Sequence, residues 1–237
     1  MIEVVEETAS TNADLVRRLG AGESIGEGFW LRAVRQSAGR GRRGKAWSSP
    51  AGNLYASTAV ALRASDPAVH TLAFVAALAV RDLVVSLLPA GTTIQLKWPN
   101  DVLVEGAKIS GILLERCGDH VIVGIGVNVV SAPELSDRAT TSMLASGAAD
   151  IDAQGVIEVL DARFAERLAQ WRREGLASTL AAWQQGAYPL GTALNVMLDG
   201  EGQVTGTFAG LDPDGALRLR LADGGLRVIH AGDVSLV

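Results

Sequence analysis

Five cationic side chains and no acid fall between Arg35 and Lys45, in a chain whose net charge is −5. The densest part reads Gly39-Arg40-Gly41-Arg42-Arg43-Gly44-Lys45-Ala46-Trp47. Its three glycines let the backbone come close to a ligand. Loop amides and guanidinium forks suit a carboxylate or a phosphate. Taken alone, such a stretch is also what a solvated basic turn looks like. Three further charged positions, Lys97, Asp101 and Lys108, lie in β-like sequence beyond it.

Nucleophilic catalysis by the protein is poorly supported. The single cysteine, Cys117, sits in a strand-to-turn context without a catalytic histidine signature nearby, and His70, His120 and His230 are scattered without metal-ligand spacing. No Gly-x-x-x-x-Gly-Lys-Ser/Thr phosphate loop occurs. The remaining option is electrostatic. Joining a carboxylate to the α-phosphate of ATP brings two anions together. It calls for fixed cations and a metal held by a carboxylate, but no protein nucleophile.

The elements that must position these groups follow from patterning. Ser10 or Thr11 is an N-cap for a helix to Gly20. Phe29–Val34 is β-like and leads into the basic loop. Asn53–Leu62 alternates and reads as a strand. Pro67–Leu88 is an apolar, buried helix ended by Pro89-Ala90-Gly91. Strands are expected at 93–97, 102–104, 108–115 and 120–130. Gly124 and Gly126 in the last mark a close approach by a ligand or another backbone. A polar loop over 131–152 precedes an amphipathic helix, Gln154–Arg173, and a shorter helix, Leu176–Gln185. From Leu190 short β-like runs alternate with Asp-Gly turns.

Hydrophobic content of 48% allows a substantial core. The acidic balance argues against a general nucleic-acid binder. The first residues do not form a signal peptide, and the apolar run Leu72–Val80 is too short to span a membrane. A cytoplasmic protein with no membrane partner is expected.

Four blocks then carry a resemblance. These are Gly39–Trp47, Lys97-Trp98-Pro99-Asn100-Asp101-Val102, Lys108-Ile109-Ser110-Gly111-Ile112-Leu113-Leu114-Glu115 and Gly124-Ile125-Gly126-Val127-Asn128. With Ser10-Thr11-Asn12 and Gln36, they resemble biotin–protein ligases in order and spacing. The resemblance implies an α+β fold. A mixed β-sheet with flanking helices, like class II synthetases, would fill residues 1–188, and a small SH3-like barrel 189–237.

It implies that biotin and ATP, with Mg²⁺, form biotinyl-5′-AMP. A lysine of a biotin carboxyl carrier domain of a biotin-dependent carboxylase would then attack it. Ser10, Thr11, Asn12 and Gln36 would line the head-group pocket, with Gly39, Gly41 and Gly111 along the biotin site. Arg40 and Arg42 would hold the carboxylate and adenylate phosphate, and Trp47 would cover the ring. Lys108 would reach the reacting groups. Lys97, Asn100 and Asp101 would meet the nucleotide phosphates, with Asp101 on Mg²⁺. Asn128 would receive the adenine and ribose end.

Ser110 stands where the family commonly has Ala, with little consequence expected. About nine residues precede Ser10, too few for the winged helix-turn-helix of repressor relatives, so no DNA partner is expected. A homodimer is compatible with the family. The basic loop is expected to be mobile when empty, because its like charges repel. Two rivals stand beside this reading. One is a lipoate or octanoate ligase, the other a biotin-binding module without activity.

Overall fold

The computed structural model describes residues 1–198 and 200–236. Seven strands form one mixed sheet: β1 (Ile2–Thr8), β2 (Trp30–Gln36), β3 (Leu54–Ala61), β4 (Ile94–Lys97), β5 (Asp101–Val104), β6 (Ala107–Cys117) and β7 (His120–Val127). Their order is β1-β2-β3-β7-β6-β5-β4. Only the β1–β2 pair is parallel.

Strand β1 was not expected. Ile2–Thr8 carries three glutamates and is half exposed at the edge of the sheet, so no clean alternation marks it. Strand β3 corrects a second expectation. Seven of its eight residues are buried, so it is covered on both faces and does not alternate between core and water.

One face of the sheet is covered by α2 (Leu72–Leu87), α3 (Ala153–Glu174) and α4 (Leu176–Gly186). Helix α2 starts later than the sequence suggests, because Val69–Thr71 forms a 3₁₀ turn ahead of it. Val69–Leu87 is long and apolar enough to cross a bilayer by composition, yet it lies mostly inside the molecule. The stripe Ile157, Leu160, Phe164, Leu168 and Trp171 of α3 is buried as its spacing requires. Arg167 of α3 grips Asp82 of α2 at 2.7 Å.

Helix α1 (Thr11–Gly20) lies on the opposite face, with Leu15 packed in a small cluster with Leu31, Ala59 and Ile122. On β7 the period of two decides what goes where. Val121, Val123, Ile125 and Val127 enter the main core, while Gly124 and Gly126 face the side of α1.

The C-terminal part is antiparallel: β8 (Ala193–Leu198), β9 (Gly202–Leu211), β10 (Leu217–Arg220), β11 (Leu226–Ile229) and β12 (Asp233–Leu236). Their order is β11-β10-β9-β8-β12. Among the described residues β11 and β12 do not pair with each other, so the expected barrel is open in its hydrogen bonding. Of the expected Asp-Gly turns, the first involves Asp199, which lies outside the described residues. Leu194, Val196, Phe208 and Leu217 join the same apolar core as the large sheet.

Ser110 departs from its expectation of little consequence. It is fully buried on β6, and its hydroxyl has no hydrogen-bond partner. A buried unmatched hydroxyl costs roughly 1–3 kcal/mol. Ser110→Ala is expected to stabilise the fold by about 1 kcal/mol and to raise Tm by roughly 2–4 °C. An unchanged or lower Tm in a thermal melt would show that the hydroxyl is satisfied.

Candidate functional site

A cavity of about 650 Å³ opens on the glycine face of the sheet, within the usual range for small-molecule sites. Every site residue expected from the sequence lines it: Ser10, Thr11, Asn12, Gln36, Gly39, Arg40, Gly41, Arg42, Trp47, Lys97, Asn100, Asp101, Lys108, Gly111 and Asn128. The lining includes six cationic side chains, Arg40, Arg42, Lys45, Lys97, Lys108 and Arg138, against three acidic ones, Asp101, Asp137 and Asp233.

At one end lies a polar floor. The Ser10 hydroxyl caps α1 by accepting from the Ala13 amide at 3.5 Å. The next two residues therefore start the helix with their side chains buried against the sheet. The Thr11 amide donates to Gln36 Oε1 at 2.9 Å, and the Thr11 and Ser57 hydroxyls lie 2.7 Å apart. Ser57 donates to Asn12 Oδ1 at 2.6 Å, and Asn12 Nδ2 to Glu115 Oε2 at 2.7 Å. Gln36 Nε2 donates to Ser49 Oγ, which donates to the Trp47 carbonyl. Gly124 is what lets α1 come this close. A Cβ there would lie 2.2 Å from Asn12 Oδ1.

Above the floor runs the basic loop. It is a small hairpin: Trp47 donates its amide to the Gly39 carbonyl at 2.9 Å, and Gly41 to that of Lys45 at 2.7 Å. Arg43 takes a left-handed φ of 57° at its tip. The expectation of unbalanced like charges is corrected here. Lys45 and Arg43 meet Asp233 at 2.7 and 3.6 Å, and Arg40 meets Glu115 at 3.3 Å. Arg42 donates to Asn100 Oδ1 at 3.4 Å, and burial pushes its guanidinium below its ordinary value against the pull of Asp233 and Asp101.

The Trp47 indole lies across Gly126 and Gly111, where a Cβ would meet it at 2.6 and 3.0 Å. Its Nε1 is buried without a partner. Lys108 Nζ sits 5.3 Å from the ring centre, a cation–π distance.

At the far end is a charge cluster. The buried Asp101 carboxylate is held by Lys108 at 2.5 Å and Lys97 at 3.2 Å. Burial alone would raise the Asp101 carboxyl, but Lys108 and Lys97 outweigh it and hold it below its ordinary value. Burial pushes Lys108 down despite Asp101, and Lys97 and Arg138 push in the same direction. Two ammonium groups therefore share one carboxylate. Lys97 also donates to the Val234 carbonyl at 2.8 Å, which ties β12 to the site.

The 131–142 segment zips onto β6 through Lys108 N to Ala139 O and Thr141 N to Lys108 O. It delivers Arg138, which pairs with Asp137. Asn128 Nδ2 is spent on the Thr141 carbonyl at 3.0 Å, leaving its Oδ1 as the group it could offer.

Asp101 was expected on Mg²⁺. Its oxygens are instead taken by two ammonium groups, and the described residues hold no cluster of three metal-ligating side chains. The donor set does not make a protein-built metal site. Sequence reasoning missed Ser57, Ser49, Glu115, Arg138 and Asp233. Glu115 closes one of the motif blocks, but nothing local in sequence points to the others.

The comparisons agree with this geometry. Residues 23–128 match the Biotin/lipoate A/B protein ligase family, and residues 195–237 the Biotin protein ligase C terminal domain. The biotin--[acetyl-CoA-carboxylase] ligase of Mycobacterium tuberculosis is 38% identical, over 98% of this chain and 88% of that protein. Its counterpart in Paracoccus denitrificans is 36% identical, over 96% and 97%. The biotin protein ligase of Aquifex aeolicus in complex with biotin and ATP superposes with a TM-score of 0.83 at 28% identity, covering 100% of this chain and 98% of that one. The fold is that of a ligase. The chain belongs to the biotin–protein ligase family.

Proposed function

We propose that this chain activates biotin with ATP and transfers it to a lysine of a biotin carboxyl carrier domain. The observation that carries this reading is the cavity's two ends: a buried hydroxyl–amide floor and, opposite it, a cluster of cations around one carboxylate. A ureido head group offers N–H donors and a carbonyl, which Thr11, Asn12 and Gln36, held from behind by Ser57, can complement. A dithiolane or a plain acyl tail offers no donors or acceptors to this polar end, which disfavours lipoate and octanoate.

In the first step a biotin carboxylate oxygen bonds to the α-phosphorus of ATP and the bond to pyrophosphate breaks. Arg40 and Arg42 hold the carboxylate and α-phosphate, and Lys108 offsets the charge gathered between them. Lys97 and Asn100 meet the phosphate chain, and Asp101 keeps both lysines in place. Gly39, Gly41 and Gly111 let ligand and backbone approach, and Asn128 receives the nucleoside end. In the second step a neutral acceptor amine attacks the acyl carbon. The C–O bond to AMP breaks, an amide forms and the amine proton leaves.

Mg²⁺ enters as the companion of ATP, and no step is assigned to a protein-held metal. Residues 1–188 would bind the ligands, and 189–237 would close the site through Asp233 and Val234. The acidic net charge of −5 disfavours DNA as a partner. The cytoplasm, where ATP is plentiful, is the location this reading favours.

Mass spectrometry of a carrier domain incubated with the protein, biotin and ATP-Mg should show one added biotinyl group. Addition of a lipoyl or octanoyl group instead, or no addition at all, would refute the reading.

The basic loop should order further when an adenylate phosphate replaces its acid partners. Trypsin is expected to cut the free protein between Arg40 and Lys45, and a stable adenylate analogue should suppress those cuts. Equal rates with and without the analogue would show that the loop does not order on binding.

A further inference from the structure

Glu115 is where two parts of the site meet. One carboxylate oxygen accepts from Asn12 Nδ2 at 2.7 Å and the other from Arg40 Nη2 at 3.3 Å. The carboxylate gets there by strand alternation: Glu115 shares one face of β6 with Gly111 and Leu113, which line the cavity.

Asn12 is an amide with two nearly isosteric orientations, and only its partners choose between them. An ionised carboxylate accepts only, so it fixes Nδ2 toward Glu115. Oδ1 then faces Ser57, whose one proton goes to it at 2.6 Å. The Ser57 oxygen is left to accept from the Thr11 hydroxyl at 2.7 Å. The Ser57 and Asn12 donors both point toward Glu115, while the Thr11 hydroxyl is shared between Ser57 and Gln36 Oε1 at 3.2 Å. Asn12 and Ser57 are 3% and 0% exposed, so water cannot supply the missing polarity.

We propose that Glu115 is a positioning residue. Acting through Asn12, its charge gives the head-group floor one hydrogen-bonding polarity, and it joins that floor to the first arginine of the basic loop. The inference rests on the biotin reading for its ligand. A ligand with fixed donors and acceptors matches only one orientation of Asn12. Glu115→Gln replaces a pure acceptor by an amide that can itself turn, so both orientations become populated.

The test uses the full chain. Glu115→Gln should weaken biotin binding by about tenfold with ATP affinity changed by less than about twofold, and Ser57→Ala should show the same selective loss. In spectra of the nitrogen-labelled, ligand-free protein, the Asn12 side-chain amide signals, identified by their loss in Asn12→Ala, should shift in Glu115→Gln. Wild-type biotin affinity in Glu115→Gln would overturn the proposal, as would parallel weakening of biotin and ATP together with a lower Tm. So would unmoved Asn12 signals. A wild-type protein that does not bind biotin at all would sink the proposed function, while the Asn12 signals would still decide the role of Glu115.

Discussion

Lys108→Ala is expected to slow adenylate formation by about 10²–10³-fold, the usual cost of losing one preorganised charge at a reacting centre. The fold should survive. Asp101 keeps Lys97 at 3.2 Å when Lys108 is gone, so the buried carboxylate is not orphaned. Trp47 loses a cation over its ring, a smaller effect. The burden should fall on kcat, because the charge matters most when carboxylate and phosphate meet.

Lys108 must be protonated for this role. Burial lowers its ammonium, so in the wild type the alkaline loss of activity should begin below the ordinary lysine value of 10.5. Lys108→Arg keeps its charge at any accessible pH and should abolish that limb, whatever its effect on rate. Pyrophosphate release across pH reads both effects. Near-normal release by Lys108→Ala would take Lys108 out of the mechanism.

Much of the site was legible because its parts are local in sequence. Ser10-Thr11-Asn12 is a helix start, Gly39–Trp47 a single hairpin, and Lys97–Asp101 two strand ends and the turn between them. Such units carry their own turn chemistry and spacing, and their order along the chain fixed the family. The groups that were missed arrive by pairing across the sheet. Ser57 reaches the floor because β3 lies beside β7, with Ser57 opposite Gly124. Asp233 reaches the loop only because β12 docks at the site, 188 residues from Lys45.

The charge balance was misjudged for the same reason. A run of five cations looks unpaired until the acids from β6 and β12 are in place. Strand β1 escaped notice because an exposed, glutamate-rich edge strand leaves no apolar period. The late start of α2 reflects Pro67, which suggested a first turn, while the backbone spends Val69–Thr71 in a 3₁₀ turn.

Gly124→Ala is expected to cost about 10²-fold in biotin affinity, and the contrast with Gly126→Ala makes the test sharp. Both glycines face the site from β7, and a Cβ at either would clash, at 2.2 Å with Asn12 and at 2.6 Å with Trp47. The neighbours differ in what they can do about it. Asn12 is 3% exposed, begins α1, and is pinned by Ser57 and Glu115, so it can yield only by breaking both hydrogen bonds. One of those is to a carboxylate, and the pair together represents about 3 kcal/mol, near 10²-fold in a binding constant. Trp47 is half-buried at the end of the hairpin, and its Nε1 has no partner to lose. It can swing outward with the loop. Gly126→Ala should therefore cost only about tenfold in biotin affinity and should speed tryptic cutting between Arg40 and Lys45. In Gly124→Ala the cutting rate should stay near that of the wild type. Calorimetry with biotin and the digestion time course separate the two variants. A folded Gly124→Ala protein with wild-type biotin affinity would remove Asn12 from the head-group floor.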